Sequence, residues 1–265
     1  MTGPAREPGN VNGGAPDRVP ALRITGATKR FGAVVALDSV DVAVSHGEVL
    51  ALLGDNGAGK STLIKCISGV HRFDAGTVEL DGTVVELGSP AAARAAGIET
   101  VYQDLALFDN LDPAANFYAG REDAGPAWLP RGLRFLRRRA MADATTEVLG
   151  RLQVGLPDQR AGVGLLSGGQ RQAIAVARAA AFASSIVILD EPTAALGLRE
   201  SRQVLDLILR LRDEGRAVIV VSHAMDHVME IADRAVIMRR GRKVGEVVPT
   251  PEHQQTIVSL IIGGA

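Results

Sequence analysis

Val49-Leu50-Ala51-Leu52-Leu53-Gly54-Asp55-Asn56-Gly57-Ala58-Gly59-Lys60-Ser61 decides the fold. An unbroken apolar run, Val49 to Leu53, reads as a strand covered on both faces, as strands of a parallel sheet are. The residues that follow, Gly54 to Ser61, match G-x-x-x-x-G-K-[ST]. Bare main-chain N–H groups must close around a phosphate there, and side chains would block the approach. The next helix, over Lys60 to Ser68 and stopped by Gly69, points its positive end at the same anion. Lys60 adds a point charge for the β- and γ-phosphates. Ser61 offers a hydroxyl to Mg²⁺, and Thr62 follows it on the first turn. Taken alone, the motif says only nucleoside triphosphate.

Outward from this loop, strands are expected over Ala21–Thr28, Val40–Val44 and Glu48–Leu53, with a hairpin over Gly76–Leu87 around Asp81-Gly82. Ser89-Pro90 caps and starts a short alanine-rich helix that Gly97 ends. Ile98–Tyr102 is a strand, and Asp112-Pro113 opens another helix. Residues 104–183 read as mostly helical apart from loops near Gly125-Pro126 and Gly155–Gly164. Apolar strands over Ser185–Leu189 and Ala217–Val221 flank a helix over Arg199–Arg212. A hairpin of Ala235–Met238 with Lys243–Val248, then a short helix after Pro251, complete the order. Strands alternating with helices give an α/β fold with a largely parallel sheet. The helical stretch in the middle reads as an inserted subdomain.

The chain has 265 residues and a formal net charge of −1, so no global basic field argues for nucleic acid or anionic lipid. Cys66 is the single cysteine, which excludes an intrachain disulfide framework. No stretch approaches the ~18–20 uncharged apolar residues needed to span a bilayer. Residues 1–20, rich in Gly and Pro without an apolar core, read as a disordered tail, and 21–265 as one nucleotide-binding domain without internal repeat.

Ile186-Val187-Ile188-Leu189-Asp190-Glu191 sets two acids at the carboxyl end of a buried strand, where α/β sheets bind ligands. Asp190 is suited to Mg²⁺ and Glu191 to polarising or deprotonating a water. Leu166-Ser167-Gly168-Gly169-Gln170-Arg171-Gln172 then offers a second anion site: Ser167 caps a long helix whose first turn, Gly168 and Gly169, leaves N–H groups bare.

That string matches the LSGGQ signature, and the chain resembles the ABC ATPases over about residues 21–262: a P-loop ATPase cassette with an antiparallel β subdomain and an inserted helical subdomain. The resemblance implies ATP and Mg²⁺ as ligands, and two copies paired head to tail so that Ser167, Gly168, Gly169 and Gln170 of one face the γ-phosphate held by the other. It further implies that Phe31 stacks on adenine, that Gln103 senses Mg²⁺ or water and couples to a membrane partner, and that His223 is a switch on the γ-phosphate. One departure stands out: where the family often has S-A-L-D after Pro192-Thr193, this chain has Ala194-Ala195-Leu196-Gly197, and the aspartate's contact across the dimer is not assigned to Gly197.

Tyr102 to Leu111 and Pro192 to Gly197 are similar to the ATPases of bacterial monosaccharide importers of the ribose, xylose and fructose type. That implies transmembrane permease subunits, an extracytoplasmic sugar-binding protein acting indirectly, and a peripheral place on the cytoplasmic face of the membrane. The alternatives are an ABC ATPase of another transport system and a non-transport ABC ATPase. Chromosome-maintenance members need a long coiled coil between phosphate loop and signature, and the gap here is too short for one. The arginine-rich stretch Arg131–Arg139 reads as a solvated face or a membrane-side contact, Trp128 as loop packing, and His46, His71, His227 and His253 as surface residues.

Overall fold

The computed structural model describes residues 19–125 and 135–263. The expected N-terminal tail through residue 18, Trp128 and Arg131 lie outside them. In chain order the elements are β1 (Leu22–Phe31), β2 (Val34–Val44), β3 (Val49–Leu53), α1 (Lys60–Ile67), β4 (Ala75–Leu80), β5 (Thr83–Val84), α2 (Pro90–Ala95), β6 (Ile98–Val101), α3 (Pro113–Tyr118), β7 (Ala124–Gly125), β8 (Phe135–Leu136), α4 (Arg138–Arg151), α5 (Gly168–Phe182), β9 (Ile186–Asp190), α6 (Leu198–Asp213), β10 (Ala217–Val221), α7 (Met225–Ile231), β11 (Arg234–Arg239), β12 (Arg242–Val247) and α8 (Gln254–Ile262).

The main sheet runs β12-β11-β3-β10-β9-β6, parallel except for the antiparallel edge β12. Its inner strands β3 and β10 are buried at every position, as expected of apolar runs covered by helices on both faces. A second, antiparallel sheet, β2-β1-β4-β5, is the expected β subdomain. One apolar core lies between the two sheets around α1. Another lies beneath α5 and α6 on the opposite face.

The caps fall where the sequence puts them. Ser89 Oγ accepts from Ala92 N–H, and Asp112 Oδ1 accepts from Ala115 N–H at 2.7 Å, each ahead of a proline that needs no donor partner. Cys66 is buried as a small apolar residue, and that burial pushes its thiol up to about 11.

The middle of the chain is less helical than expected. Between β6 and α3, residues 102–112 form no helix, and β7 pairs with β8 as a two-residue ribbon. Main-chain groups of the irregular run bond to the side chains of Asp104, Asn116 and Arg178, so they are satisfied without a helical ladder. Helix α5 packs on α3, α4 and α6 and also reaches β6 and β9 of the main sheet.

Candidate nucleotide site

Four neighbouring parallel strands end side by side, and each delivers one expected site segment. Strand β3 runs into the glycine loop, β10 into Ser222-His223, β9 into Asp190-Glu191, and β6 into Gln103. The registers align these ends, with Val221 opposite both Leu52 and Asp190, and Val101 opposite Leu189. Ligands bind in α/β sheets at this carboxyl edge.

The loop is built around main-chain approach. Gly54 has φ +146°, and a Cβ there would sit 2.2 Å from the carbonyl oxygen of Met238 on β11. Gly59, at φ +102°, would press a Cβ to 2.7 Å from Ala36 O. Both positions therefore exclude any side chain, and Gly59 turns the chain directly into α1. Asp55, Asn56 and Gly57 are exposed, while Ala58 is buried beneath them. Lys60 is buried, and its Nζ donates to Gly54 O at 2.6 Å and to Asp55 O at 3.1 Å. Burial pulls its pKa below the ordinary value, against the raising fields of Glu191, Asp55 and Asp190. Ser61 is exposed at the start of α1 and Thr62 half-buried.

Opposite the lysine, burial raises the pKa of Asp190, with Lys60, Lys65 and His223 pulling it back. Burial also raises Glu191, opposed first by His223 and then by Lys60, while Asp190 adds to the rise. Glu191 has φ +52°, a left-handed backbone costly for a side chain of its kind. His223 Nε2 lies 3.1 Å from Glu191 Oε1, a charge-pair distance not aligned as a hydrogen bond, and that buried oxygen has no hydrogen-bond partner among the described residues. A half-buried carboxylate that keeps a free acceptor is equipped to take a proton from water.

A divalent cation fits this donor set. No three His, Cys, Asp or Glu side chains converge among the described residues, so the cation would rest on Ser61, Asp190 and phosphate oxygens, the usual sharing for Mg²⁺.

Phe31 and the signature lie on other elements, while Gln103 follows the β6 end. Phe31, at the end of β1, is 44% exposed, edge-on to His71 at 5.1 Å, with Lys29 Nζ 5.5 Å from its ring centre. A ring this open presents a face for a base to stack on. Gln103 is exposed just beyond β6. The signature heads α5 with a complete capping box: Ser167 Oγ accepts from Gln170 N–H at 3.2 Å, and Gln170 Oε1 accepts from Ser167 N–H at 3.0 Å. Ser167 and Gly168 are exposed, and α5 packs chiefly on α6, β6 and α3. One chain thus carries a phosphate loop and a separate signature turn that faces outward.

Sequence reading passed over Glu200 on α6. A Cβ at Gly169 would meet its Cγ at 2.5 Å and its Cβ at 2.6 Å. It also set His227 on the surface, whereas His227 Nδ1 lies 3.0 Å from Thr193 Oγ1 and half-buried beneath the segment that follows Glu191. Only the pairing of the small residue Gly169 with a glutamate across two helices signals the first contact, and no local motif signals the second.

Strand ends of this kind, together with a signature-capped helix, define an ATP-binding cassette. The ABC transporter family model matches residues 37–194, and the chain belongs to that family, whose cassettes hydrolyse ATP. It is 47% identical over 247 residues to the fructose import ATP-binding protein of Rhizobium meliloti, covering 92% of this chain and 94% of that one. It is 43% identical over 246 residues to the xylose/arabinose import ATP-binding protein of Sulfolobus acidocaldarius, covering 91% and 95%. Against a ribose import ATP-binding protein of Rubrobacter xylanophilus it is 45% identical over 86% of its own length but only 44% of the relative's. The crystal structure of a nucleotide-free ATP-binding cassette from an ABC transporter superposes with a TM-score of 0.78 at 25% identity, covering 91% of this chain and 95% of that one.

Proposed function

We propose that this chain is the ATPase subunit of an importer for a simple sugar, working as a pair of cassettes on separate permease subunits at the cytoplasmic face of a membrane. The observation that carries the ATPase chemistry is the row of four strand ends. It sets Lys60, Asp190, Glu191 and His223 around one crevice. The sugar rests on the named roles of relatives that match 91–92% of this chain and 94–95% of their own lengths.

In this reading Gly54 to Gly59 cradle the phosphates with main-chain N–H groups, Lys60 neutralises the β/γ oxygens, and Phe31 stacks on the base. Ser61 and Asp190, with Gln103 alongside, would hold Mg²⁺, which would neutralise charge at those oxygens. Glu191 accepts the proton of the attacking water while His223 holds the water and the γ-phosphate in line. Ser167, Gly168, Gly169 and Gln170 of the partner cassette close the site from the other side. No residue here touches the sugar.

The test is to express a tagged Glu191→Gln chain in its own cell, solubilise the membranes with ATP present, and identify what co-purifies. A multi-span permease supports import and names the system. A purely soluble catch with good recovery of bait refutes the importer and leaves the ATPase.

A further inference from the structure

Arg178 lies on α5, in a helix otherwise lined with alanine. Its guanidinium does not point to a carboxylate. Nη2 donates to Leu105 O at 2.9 Å and Nη1 to Ala106 O at 3.0 Å, two consecutive carbonyls of the irregular run that follows Gln103. Ala106 is held at φ +49°, and its N–H is taken by Asp104 Oδ1. The planar fork meets the two carbonyls with two separate N–H-bearing nitrogens in fixed geometry, whereas a lysine would have to serve both from one freely rotating ammonium. An apolar side chain would be cheaper to bury, but it would give up both bonds and leave the part-buried Leu105 carbonyl without its donor.

The same run is fastened again farther on. Asn116 is fully buried: its Oδ1 accepts from Phe108 N–H at 2.7 Å, and its Nδ2 donates to Phe108, Leu111 and Asp112 carbonyls, each at 3.1 Å. Asp109 O accepts from Gly164 N–H and Leu111 O from Val163 N–H, both at 2.9 Å, in the turn that leads into Ser167. The segment is therefore tied to α5 at Arg178, past the middle of the helix, and again to Val163 and Gly164 in the turn that leads into it. Unbroken helix from Gly168 to Arg178, roughly 15 Å of rigid rod, lies between that turn and the first tie.

We infer that Arg178 is a positioning residue that makes Leu105 to Asp112 a brace along α5, so that Gln103 and the signature turn move as one piece. The inference rests on the reading of Gln103 as a group that meets the nucleotide. A shift of the signature toward its partner then carries Gln103 with it, and displacement of the brace from outside carries the signature.

The test compares full-length wild type, Arg178→Met, Gln103→Ala and the double variant in steady-state ATPase assays, with Arg178→Lys as a charge-keeping control and thermal melts for folding. Arg178→Met is expected to lower kcat by about 10- to 100-fold, the cost of a displacement near 1 Å, with KM for ATP little changed. In the Gln103→Ala background it should have little further effect, and Arg178→Lys should recover part of the loss. Equal fold-losses in both backgrounds overturn the inference, because the arginine then acts independently of Gln103. Normal turnover in Gln103→Ala overturns the reading of Gln103 and with it the purpose of the brace. Hydrogen exchange tests the brace by itself. Amides of residues 105–112 should exchange at least about tenfold faster in Arg178→Met, or in Arg178→Lys if the former does not fold, while α5 stays protected. Unchanged exchange overturns the brace whatever the turnover.

Discussion

Gly169→Ala should abolish most turnover while leaving the protein folded, because the site tolerates no Cβ on geometric grounds. The added carbon would stand 2.5 Å from Glu200 Cγ and 2.6 Å from Glu200 Cβ, whereas ordinary contact begins at 3.4 Å. The starts of α5 and α6 must therefore part by roughly 1 Å, since close-packed interiors have no slack to absorb the overlap. Overpacking of this kind costs about 1–3 kcal/mol. Replacing a helical glycine by alanine returns about 1 kcal/mol. The net loss is about 0–2 kcal/mol, a fall in Tm of no more than roughly 8 °C for a chain this long. Activity suffers more: moving the signature N–H groups by ~1 Å costs on the order of 100-fold in kcat. Phosphate release against ATP concentration, with thermal melts, reads both. The double variant Gly169→Ala/Glu200→Gly removes the two offending carbons and leaves only Glu200 Cα, at 3.4 Å. It should regain turnover even though glycine in α6 costs about another 1 kcal/mol. Full turnover in Gly169→Ala, or no recovery in the double variant, refutes the reasoning.

Glu191→Gln should cut hydrolysis by about 100- to 10,000-fold and keep ATP bound between two copies, read by phosphate release and by size in solution. The same variant should melt higher than wild type at neutral pH. Burial raises the folded pKa of Glu191, so its share of stability is full below the unfolded value and is lost as pH rises through the folded one. Glutamine cannot ionise, so the two melting curves should meet near pH 4 and part above it; parallel curves would refute the burial argument. Phe31→Ala should weaken ATP by about 1–3 kcal/mol, the usual worth of a stacked base, and Phe31→Tyr should not, as measured by fluorescent-nucleotide titration. Arg234 on β11 pairs with Glu48 at 2.8 Å and with Glu246, and donates to Ala43 O at 2.6 Å, tying the two sheets together. Arg234→Ala leaves Glu48 without its cation and Glu246 with Lys243 alone, and should cost about 2–3 kcal/mol, a Tm fall of roughly 5–10 °C, with KM for ATP unchanged.

The parts of this site that were legible in sequence are those fixed by strand ends. Val49–Leu53 and Ala217–Val221 are apolar throughout because both faces are covered, and the first residues past such runs must lie at one edge of the sheet. Asp190, Glu191 and the glycine loop stand where that rule puts a ligand, the loop marked by its own motif as well, whereas His223 was named only through the family resemblance. Caps were legible for a similar local reason: Ser89, Asp112 and Ser167 each precede a helix whose free N–H groups they meet. The lengths of β1 and β2 were not. They continue to Phe31 and restart at Val34 through a two-residue turn, where burial along the strands is too irregular to mark a face. The irregular run after Gln103 was misread as helical because its partners, Asn116 and Arg178, come from elsewhere in the chain. Glu200 against Gly169 was invisible for the same reason: the contact joins two helices that nothing local relates.

The electrostatics of the crevice argue for why nucleotide and cation must arrive together. Asp190 and Glu191 already sit with pKa values raised by burial; Asp190 raises Glu191 further, while Lys60 and His223 hold both down and Lys65 helps hold down Asp190. The phosphates of ATP brought beside them would add negative charge to a site that has one buried ammonium. That ammonium is itself engaged with Gly54 O and Asp55 O, which must be exchanged for phosphate oxygens. Without a compensating cation, the carboxylates would take up protons on binding, and a protonated Glu191 cannot accept the proton of water. A Mg²⁺ held by Asp190 and Ser61 would offset the phosphate charge and favour the ionised carboxylates. ATP binding in EDTA should therefore take up more protons than binding with Mg²⁺. Calorimetry in two buffers of different ionisation enthalpy measures the difference directly, and equal uptake with and without Mg²⁺ would show that these two carboxylates do not feel the phosphate charge.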